Sequence, residues 1–328
     1  MTDQPLNVLA VVQSGRLQAE AVLLAASLRR ACPEGVRLWL AEPQPGPLWP
    51  HDPRVTDPEA RDLLESLGAT FLPFESRHFG AAYPHGNKIE ALAALPEGAP
   101  FLFLDTDTLV LRDLREVPFD FDRPSASLRR EGTWPVIRLY GPGYGQIWGA
   151  LYDRFGLDFA ASQDARWPAE HWRRYLYFNA GFFHHRCPRE FGTRFLEIAL
   201  SIRDDPPAEL ATQPLYPWLD QIALPLVVHG LGGGRDALPA GMMDGSHSCH
   251  WRALPLLYAR EPDATVALLE ELAAPNRVKK LLRQHEPFRK LVYQGKGQRI
   301  RAQFDRSALP APEARLRKIL KNRNQWMR

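Results

Sequence analysis

Residues 101–110 read FLFLDTDTLV. Four large apolar residues in a row, with no polar alternation, suit a strand buried on both faces, as strands of parallel sheets are. The run stops at Asp105. In open α/β sheets ligands bind beyond the carboxyl ends of the strands, so Asp105-Thr106-Asp107 stands where a ligand is expected. Two carboxylates one residue apart at a strand exit can share a hard divalent cation, Mg²⁺ or Mn²⁺, with substrate phosphates completing its shell. A pair of solvated turn carboxylates is the plain alternative for so short a motif.

Outward from this strand the pattern is regular. HGNKIEALAALP predicts a helix from Asn87, and residues 58–74 predict a helix followed by a strand. Before them, Val36–Leu40 reads as a strand that runs into AEPQPGPLWPHDP, where crowded prolines impose a loop. The opening strand, Asn7–Val12, ends in Gln-Ser-Gly, and Leu17, Ala21, Leu24, Ala25 and Leu28 then recur at helical spacing. Strands alternating with helices predict an α/β fold with a doubly wound, mostly parallel sheet. C-terminal to the motif, residues 119–172 read as a loop-rich, acceptor-facing region around GPGYG. YFNAGFFHHR (177–186) reads as a buried strand and Pro188–Arg203 as an amphipathic helix. WLDQIALPLVVHG and the polar DGSHSCHW follow. Past Pro262 the chain reads as helical and basic. The expected division is an α/β catalytic domain over residues 1–260 and a helical basic extension over 261–328.

Composition sets the class. Hydrophobic residues are 45% and charged residues 24% of 328, as in ordinary globular proteins, which excludes disordered and fibrous classes. The three cysteines, Cys32, Cys187 and Cys249, are widely spaced without a CxxC pair, so neither a disulfide framework nor a zinc knuckle is expected. Neither a signal peptide nor a membrane span is expected from the apolar runs, and a cytoplasmic location follows. The net charge of +3 is unevenly spread. Residues 277–328 hold 16 Lys/Arg against 3 Asp/Glu, which leaves −10 for the rest. Such a tail reads as a solvated surface or as a peripheral contact with the inner face of an anionic membrane. Nucleic acid is not an expected partner.

Three motifs in order, FLFLDTDTLVLRDL (101–114), YFNAGFF (177–183) and LDQIAL (219–224), resemble those of GT-A fold glycosyltransferases, family 8 in particular. The resemblance spans roughly residues 7–258. It implies a Rossmann-like GT-A fold and transfer of a sugar, with retention, from a nucleotide-diphosphate sugar. A UDP-sugar is favoured as donor, and the acceptor is a hydroxyl of a glycan or lipid-linked sugar such as a bacterial surface polysaccharide. It implies Asp105 beside the ribose and metal, Asp107 as a metal ligand, and a histidine ligand from late in the domain. His229, His247 and His250 are the candidates, and His250, followed by an aromatic residue, is favoured. The lysine-containing continuation usual in the family is replaced by ALPLLYARE. By the same resemblance Lys88 faces the sugar and diphosphate, Asn179-Ala180-Gly181 lines the sugar pocket, and Asp220 binds donor hydroxyls. Gln221 then sits near the anomeric carbon, while Val11 and Gln13 border the base. A cation at Lys88 has a physical purpose, since it would stabilise charge on the departing diphosphate.

Two other classes compete. A sugar nucleotidyltransferase shares the doubly wound sheet, the nucleotide and the metal, but calls for a glycine-rich basic signature after the first strand, and VVQSGRLQAEA has no dense one. A non-catalytic scaffold binding lipid or nucleic acid through the tail fits poorly with intact Asp105, Asp107, Asn179, Asp220 and Gln221.

Overall fold

The computed structural model describes residues 5–129, 134–310 and 312–327. Most of the polar N-terminal start and the last residue of the basic tail thus lie outside the described residues. The chain runs β1 (Leu6–Val11), α1 (Arg16–Ala31), β2 (Val36–Pro43), α2 (Pro58–Ser66), β3 (Ala69–Phe74), α3 (Asn87–Ala91) and β4 (Phe101–Leu104). After β4 come β5 (Thr108–Val110), β6 (Ala126–Ser127), α4 (Tyr144–Arg154), α5 (Phe159–Ser162), β7 (Asn179–His185), α6 (Pro188–Asp204), α7 (Leu219–Gly230) and β8 (Ser248–His250). Five helices close the chain: α8 (Leu254–Arg260), α9 (Asp263–Ala273), α10 (Asn276–Leu282), α11 (Glu286–Phe288) and α12 (Lys296–Arg301), with α13 (Glu313–Asn322) as a final sixth.

The main sheet has the order β3-β2-β1-β4-β7-β6. Its first four strands are parallel, and β7 and β6 are added antiparallel at the other edge. Successive residues of a strand point to opposite faces, and β4 uses both. Leu102 and Leu104 join the core beneath α1, while Phe101 and Phe103 join the core beneath α6 and α7. β1 does the same, with Val8 and Ala10 on one side and Leu9 on the other. The unbroken apolar runs seen in the sequence follow from this double coverage. On the second face, aromatic rings fill the space, with Phe103 stacked on Phe183 at 4.7 Å between centroids.

Two regions differ from the sequence reading. The loop-rich span 119–172 contains the helix α4, which buries Ile147, Trp148, Leu151 and Tyr152. Its apolar stripe is obscured in sequence by glycine and tyrosine at its start. The polar DGSHSCHW holds the strand β8, which pairs antiparallel with β5 in a separate two-stranded ribbon.

The basic extension is not a solvated appendage. Leu269, Leu282, Ile300, Leu316 and Leu320 are buried in the same core as α1, and Trp326 and Met327 pack against it. Its charges meet those of the body: Lys280 pairs with Glu59 at 2.6 Å, and Glu271 pairs with Arg30 of α1. The charge asymmetry along the sequence is thus partly a complementarity within one fold. No helix among the described residues is long and apolar enough to cross a membrane.

Candidate active site

Beyond the carboxyl end of β4 the chain leaves the sheet and enters the ribbon. Asp105 stays tied to the main sheet through its backbone N–H, which donates to the Gly181 carbonyl at 2.9 Å. Asp107 is already on the ribbon side, its carbonyl accepting from the Trp251 N–H at 2.9 Å. Because Thr108 is the register partner of His250, the β5–β8 pairing carries the imidazole to the motif across 142 residues of chain. His250 Nε2 lies 3.0 Å from Asp107 Oδ1 and 3.7 Å from Asp105 Oδ2. One ligand atom from each of the three residues falls within 4.8 Å of the others. Two carboxylates and an imidazole form a mixed oxygen and nitrogen donor set, which suits Mn²⁺ and accommodates Mg²⁺ less well.

The electrostatics of His250 follow from this crowding. Burial alone would lower its pKa, but the negative charge of Asp107 and then Asp105 outweighs burial and holds it up at about 9. Of the rival histidines, His247 lies 3.3 Å from Glu116, and His229 packs against the Tyr152 ring. The adjacent pair His184 and His185 sits at the far end of β7 from Asn179, while His85 lines the same cleft as His250.

Lys88 comes up beneath the motif from α3, a helix whose residues are all buried. Its Nζ donates to Asp105 Oδ1 at 2.8 Å and to the Ala180 carbonyl at 2.9 Å, and stands 3.6 Å from Asp220 Oδ2. Burial opposes the charge, yet Asp105 and Asp220 more than compensate and raise the pKa above the ordinary lysine value. Asp220, in the first turn of α7, is fixed from the other side by Tyr83, whose hydroxyl donates to Oδ1 at 2.8 Å. The Tyr177 hydroxyl donates to Gln221 Oε1 at 2.8 Å, which turns the amide NH₂ away from Tyr177. Asn179 Oδ1 accepts the Gly181 N–H at 2.9 Å, leaving its NH₂ group as a donor.

These groups open onto one cleft of about 430 Å³, the size of a typical small-ligand site. A larger hollow of about 690 Å³ lies over α6, but it is lined by groups such as Arg189, Glu190 and Glu197 rather than by the converging carboxylates. Chemistry rather than volume selects the smaller one. Val11, Lys88, Asp105, Asp107, Asn179, Asp220, Gln221 and His250 all line it.

Two residues singled out from the sequence are placed differently. Gln13 is not on the cleft wall. Beyond β1 the chain keeps hydrogen-bonding toward β2, with Val12 N–H to Ala41 O and Ser14 N–H to Pro53 O, both at 2.9 Å, and Gln13 is held in that turn. Gly181 likewise lies behind the wall, where a Cβ would come within 2.2 Å of His250 Nδ1. The missing side chain makes room for the imidazole rather than for a sugar.

The cleft also contains residues that sequence reading passed over. Arg16 and Glu20 face it from α1, paired at 2.6 Å, and Thr106 Oγ1 donates to Glu20 at 3.0 Å. Burial and then Asp107 push Glu20 up to about 8. A signal existed: Glu20 falls three residues after Leu17 and four before Leu24, inside the apolar stripe, where an acid is out of place. Arg252 and Arg317 line the cleft as well, and Arg317 comes from α13.

Among solved structures, the galactosyltransferase LgtC in complex with donor and acceptor sugar analogs is 14% identical, covering 70% of this chain and 72% of its own, with a TM-score of 0.42. The apo form of the bifunctional glycosyltransferase WbbM is 12% identical, covering 87% of this chain and 52% of its own, with a TM-score of 0.49. The glycosyltransferase GlyE of Streptococcus pneumoniae TIGR4 is 12% identical over 71% of this chain and 45% of its own, with a TM-score of 0.38. No protein of curated function matches the sequence. The model of the Rhodobacterales glycosyltransferase domain matches residues 8–232, a span that carries Lys88, Asp105, Asp107, Asn179 and Asp220, and the chain belongs to that family of glycosyltransferases.

Proposed function

We propose that this glycosyltransferase takes its sugar from a nucleotide-diphosphate donor, a UDP-sugar in the favoured case, in a reaction that depends on Mn²⁺ or Mg²⁺. The observation that supports this most is the convergence of Asp105 and Asp107, from the link between β4 and β5, with His250 from β8, beside a buried, charged Lys88. A divalent ion held by Asp105, Asp107 and His250 would add positive charge at the diphosphate oxygens.

Lys88 keeps a fixed ammonium at the floor of the cleft, where its charge is worth more than in water as the leaving diphosphate develops negative charge. Asp220, locked between Lys88 and Tyr83, presents a carboxylate that accepts from donor hydroxyls, and the amide groups of Asn179 and Gln221 supply N–H donors beside it. Arg16 balances Glu20 at the rim. On the order of the motifs around Asp105, Asn179 and Asp220 we assign the chain to family 8 of the GT-A glycosyltransferases, with retention of anomeric configuration. Residues 1–260 form the catalytic unit in this reading, with 261–328 as its extension. The acceptor class, a surface glycan or lipid-linked sugar at a membrane face, is favoured by the outward cations of the extension, among them Arg277, Lys279 and Arg283.

The test is a donor screen that follows metal-dependent hydrolysis of UDP-, GDP-, ADP- and CDP-sugars. Release of one nucleotide, lost in Asp107→Ala, supports the reading and names the donor. Absence of hydrolysis and of nucleotide binding with Mn²⁺ for every donor overturns it.

A further inference from the structure

We infer that the C-terminal helix α13 forms part of the donor site, with Arg317 as a contact for the diphosphate and Glu313 as the residue that positions it. This rests on the nucleotide-diphosphate donor proposed above and goes beyond it, since α13 and His250 both lie outside the span matched by the family domain.

Ala314 and Arg317, three residues apart and therefore on one helix face, line the cleft that also holds Asp105, Asp107 and His250. The adjoining face is anchored, with Leu316 and Leu320 buried in the core. Beyond the helix the chain folds back so that Trp326 lies under Arg317, 5.3 Å from guanidinium carbon to ring centre. Glu313 ties this helix to the metal-ligand strand. Its side chain is 2% exposed and accepts from Arg252 at 2.9 Å, from Arg317 Nε at 2.6 Å and from Arg260. Arg252 is only two residues past His250, so a single buried carboxylate joins the end of the chain to the candidate metal site.

The charges say what this wall is built to receive. Arg260 also pairs with Glu261 at 2.8 Å, as does Arg129 at 3.1 Å. Arg252 and Arg317 of this arginine cluster line the cleft, so the wall presents guanidiniums to whatever enters it. On the floor of the cleft the carboxylates of Asp105, Asp107 and Asp220 converge, with Lys88 and His250 among them. A cation belongs on that side, and the phosphate oxygens of a diphosphate, which guanidinium forks bind in parallel pairs, belong on the arginine side. Arg317 is suited to the contact because Glu313 holds its Nε and Nη2 side while the group remains about one-third exposed at the cleft.

The experiment is isothermal titration of the full-length protein with Mn²⁺ alone and then with inorganic pyrophosphate in saturating Mn²⁺. Wild type, Arg317→Ala and Arg317→Lys are compared, with thermal midpoints measured in parallel. We expect Mn²⁺ affinity to stay within about two-fold and the thermal midpoint to stay close to wild type. Pyrophosphate affinity should fall about ten-fold or more in Arg317→Ala, the loss of one charge-assisted contact, and recover in part in Arg317→Lys. Wild-type pyrophosphate affinity in Arg317→Ala overturns the inference while leaving the donor reading standing. Failure of the wild type itself to bind Mn²⁺ and pyrophosphate overturns both. Glu313→Gln provides the check on positioning: it should weaken pyrophosphate more than Mn²⁺, and equal weakening of both would make Glu313 a general structural residue instead.

Discussion

Two buried histidines lie toward opposite ends of β7, His250 against Gly181 and His184 on the strand itself, and their pKa values are shifted in opposite directions. His250, on the ribbon, is held up at about 9, whereas His184, on β7, is pushed down to about 4. Both are removed from water, so burial acts on each in the same direction. The difference lies in the neighbours. His250 has Asp107 at 3.0 Å, while His184 packs against the rings of Phe119 and Phe121, and neither of its ring nitrogens has a hydrogen-bond partner among the described residues. Placed charge, not depth, makes the candidate active site.

The largest way to break this contrast is to remove the charge. Asp107→Asn removes the larger charge that opposes burial at His250, leaving chiefly Asp105, and should bring its pKa down from about 9, read by NMR titration of the metal-free protein. The same change should abolish Mn²⁺ binding and cut glycosyl transfer by at least about 100-fold. A His250 that still titrates near 9 would mean that the contrast has another source. Lys88→Met comes next. It takes a cation from between Asp105 and Asp220, so turnover should fall by about 10²–10³-fold. Stability should also drop by a few kcal/mol, because buried carboxylates are left unpaired. Unchanged turnover at saturating donor would remove Lys88 from the chemistry.

A smaller effect sharpens the geometry. In Gly181→Ala the new Cβ would meet His250 Nδ1 at 2.2 Å and Cε1 at 2.5 Å. The ring must swing away from Asp107, and Mn²⁺ affinity should fall by about 10–100-fold, as it does when a ligand's supporting shell is disturbed. Titration of Mn²⁺ into the two proteins checks this. Equal affinities would show that the ring has another position from which to serve the site.

How much of this was legible in the sequence depends on the range of the interaction. The apolar run before Asp105 spelled out both a buried strand and the exit of a site, because that strand is covered on both faces and its pattern is local. Lys88 and Asp220 were reachable only through motif order, since nothing near either residue in sequence records that they approach within 3.6 Å. β8 was illegible, being three residues long and containing Ser248 and His250; its strand state comes from pairing with β5. The tail misled for a similar reason. Its sixteen cations look solvated until the acidic body and the buried Glu313 are set beside them. Gln13 lies off the cleft wall because adjacency to β1 does not fix which way the following turn faces.

The smallest effect concerns the other histidine and touches stability alone. The unfolded chain takes up a proton at His184 as pH falls through about 6.5, while the folded protein resists until about 4. Over that window the unfolded state binds more protons, so stability falls as pH falls, by a total on the order of 3 kcal/mol from this group. Other groups titrate in the same range, and the difference between wild type and His184→Leu isolates the histidine. Denaturant midpoints at pH 7, 5.5 and 4 should show a shallower loss in the variant, with Mn²⁺ binding at pH 7 unchanged because His184 lies at the far end of β7 from Asn179. Identical pH slopes in the two proteins would mean that His184 is accommodated in its charged form, and the contrast with His250 would then be one of degree rather than of kind.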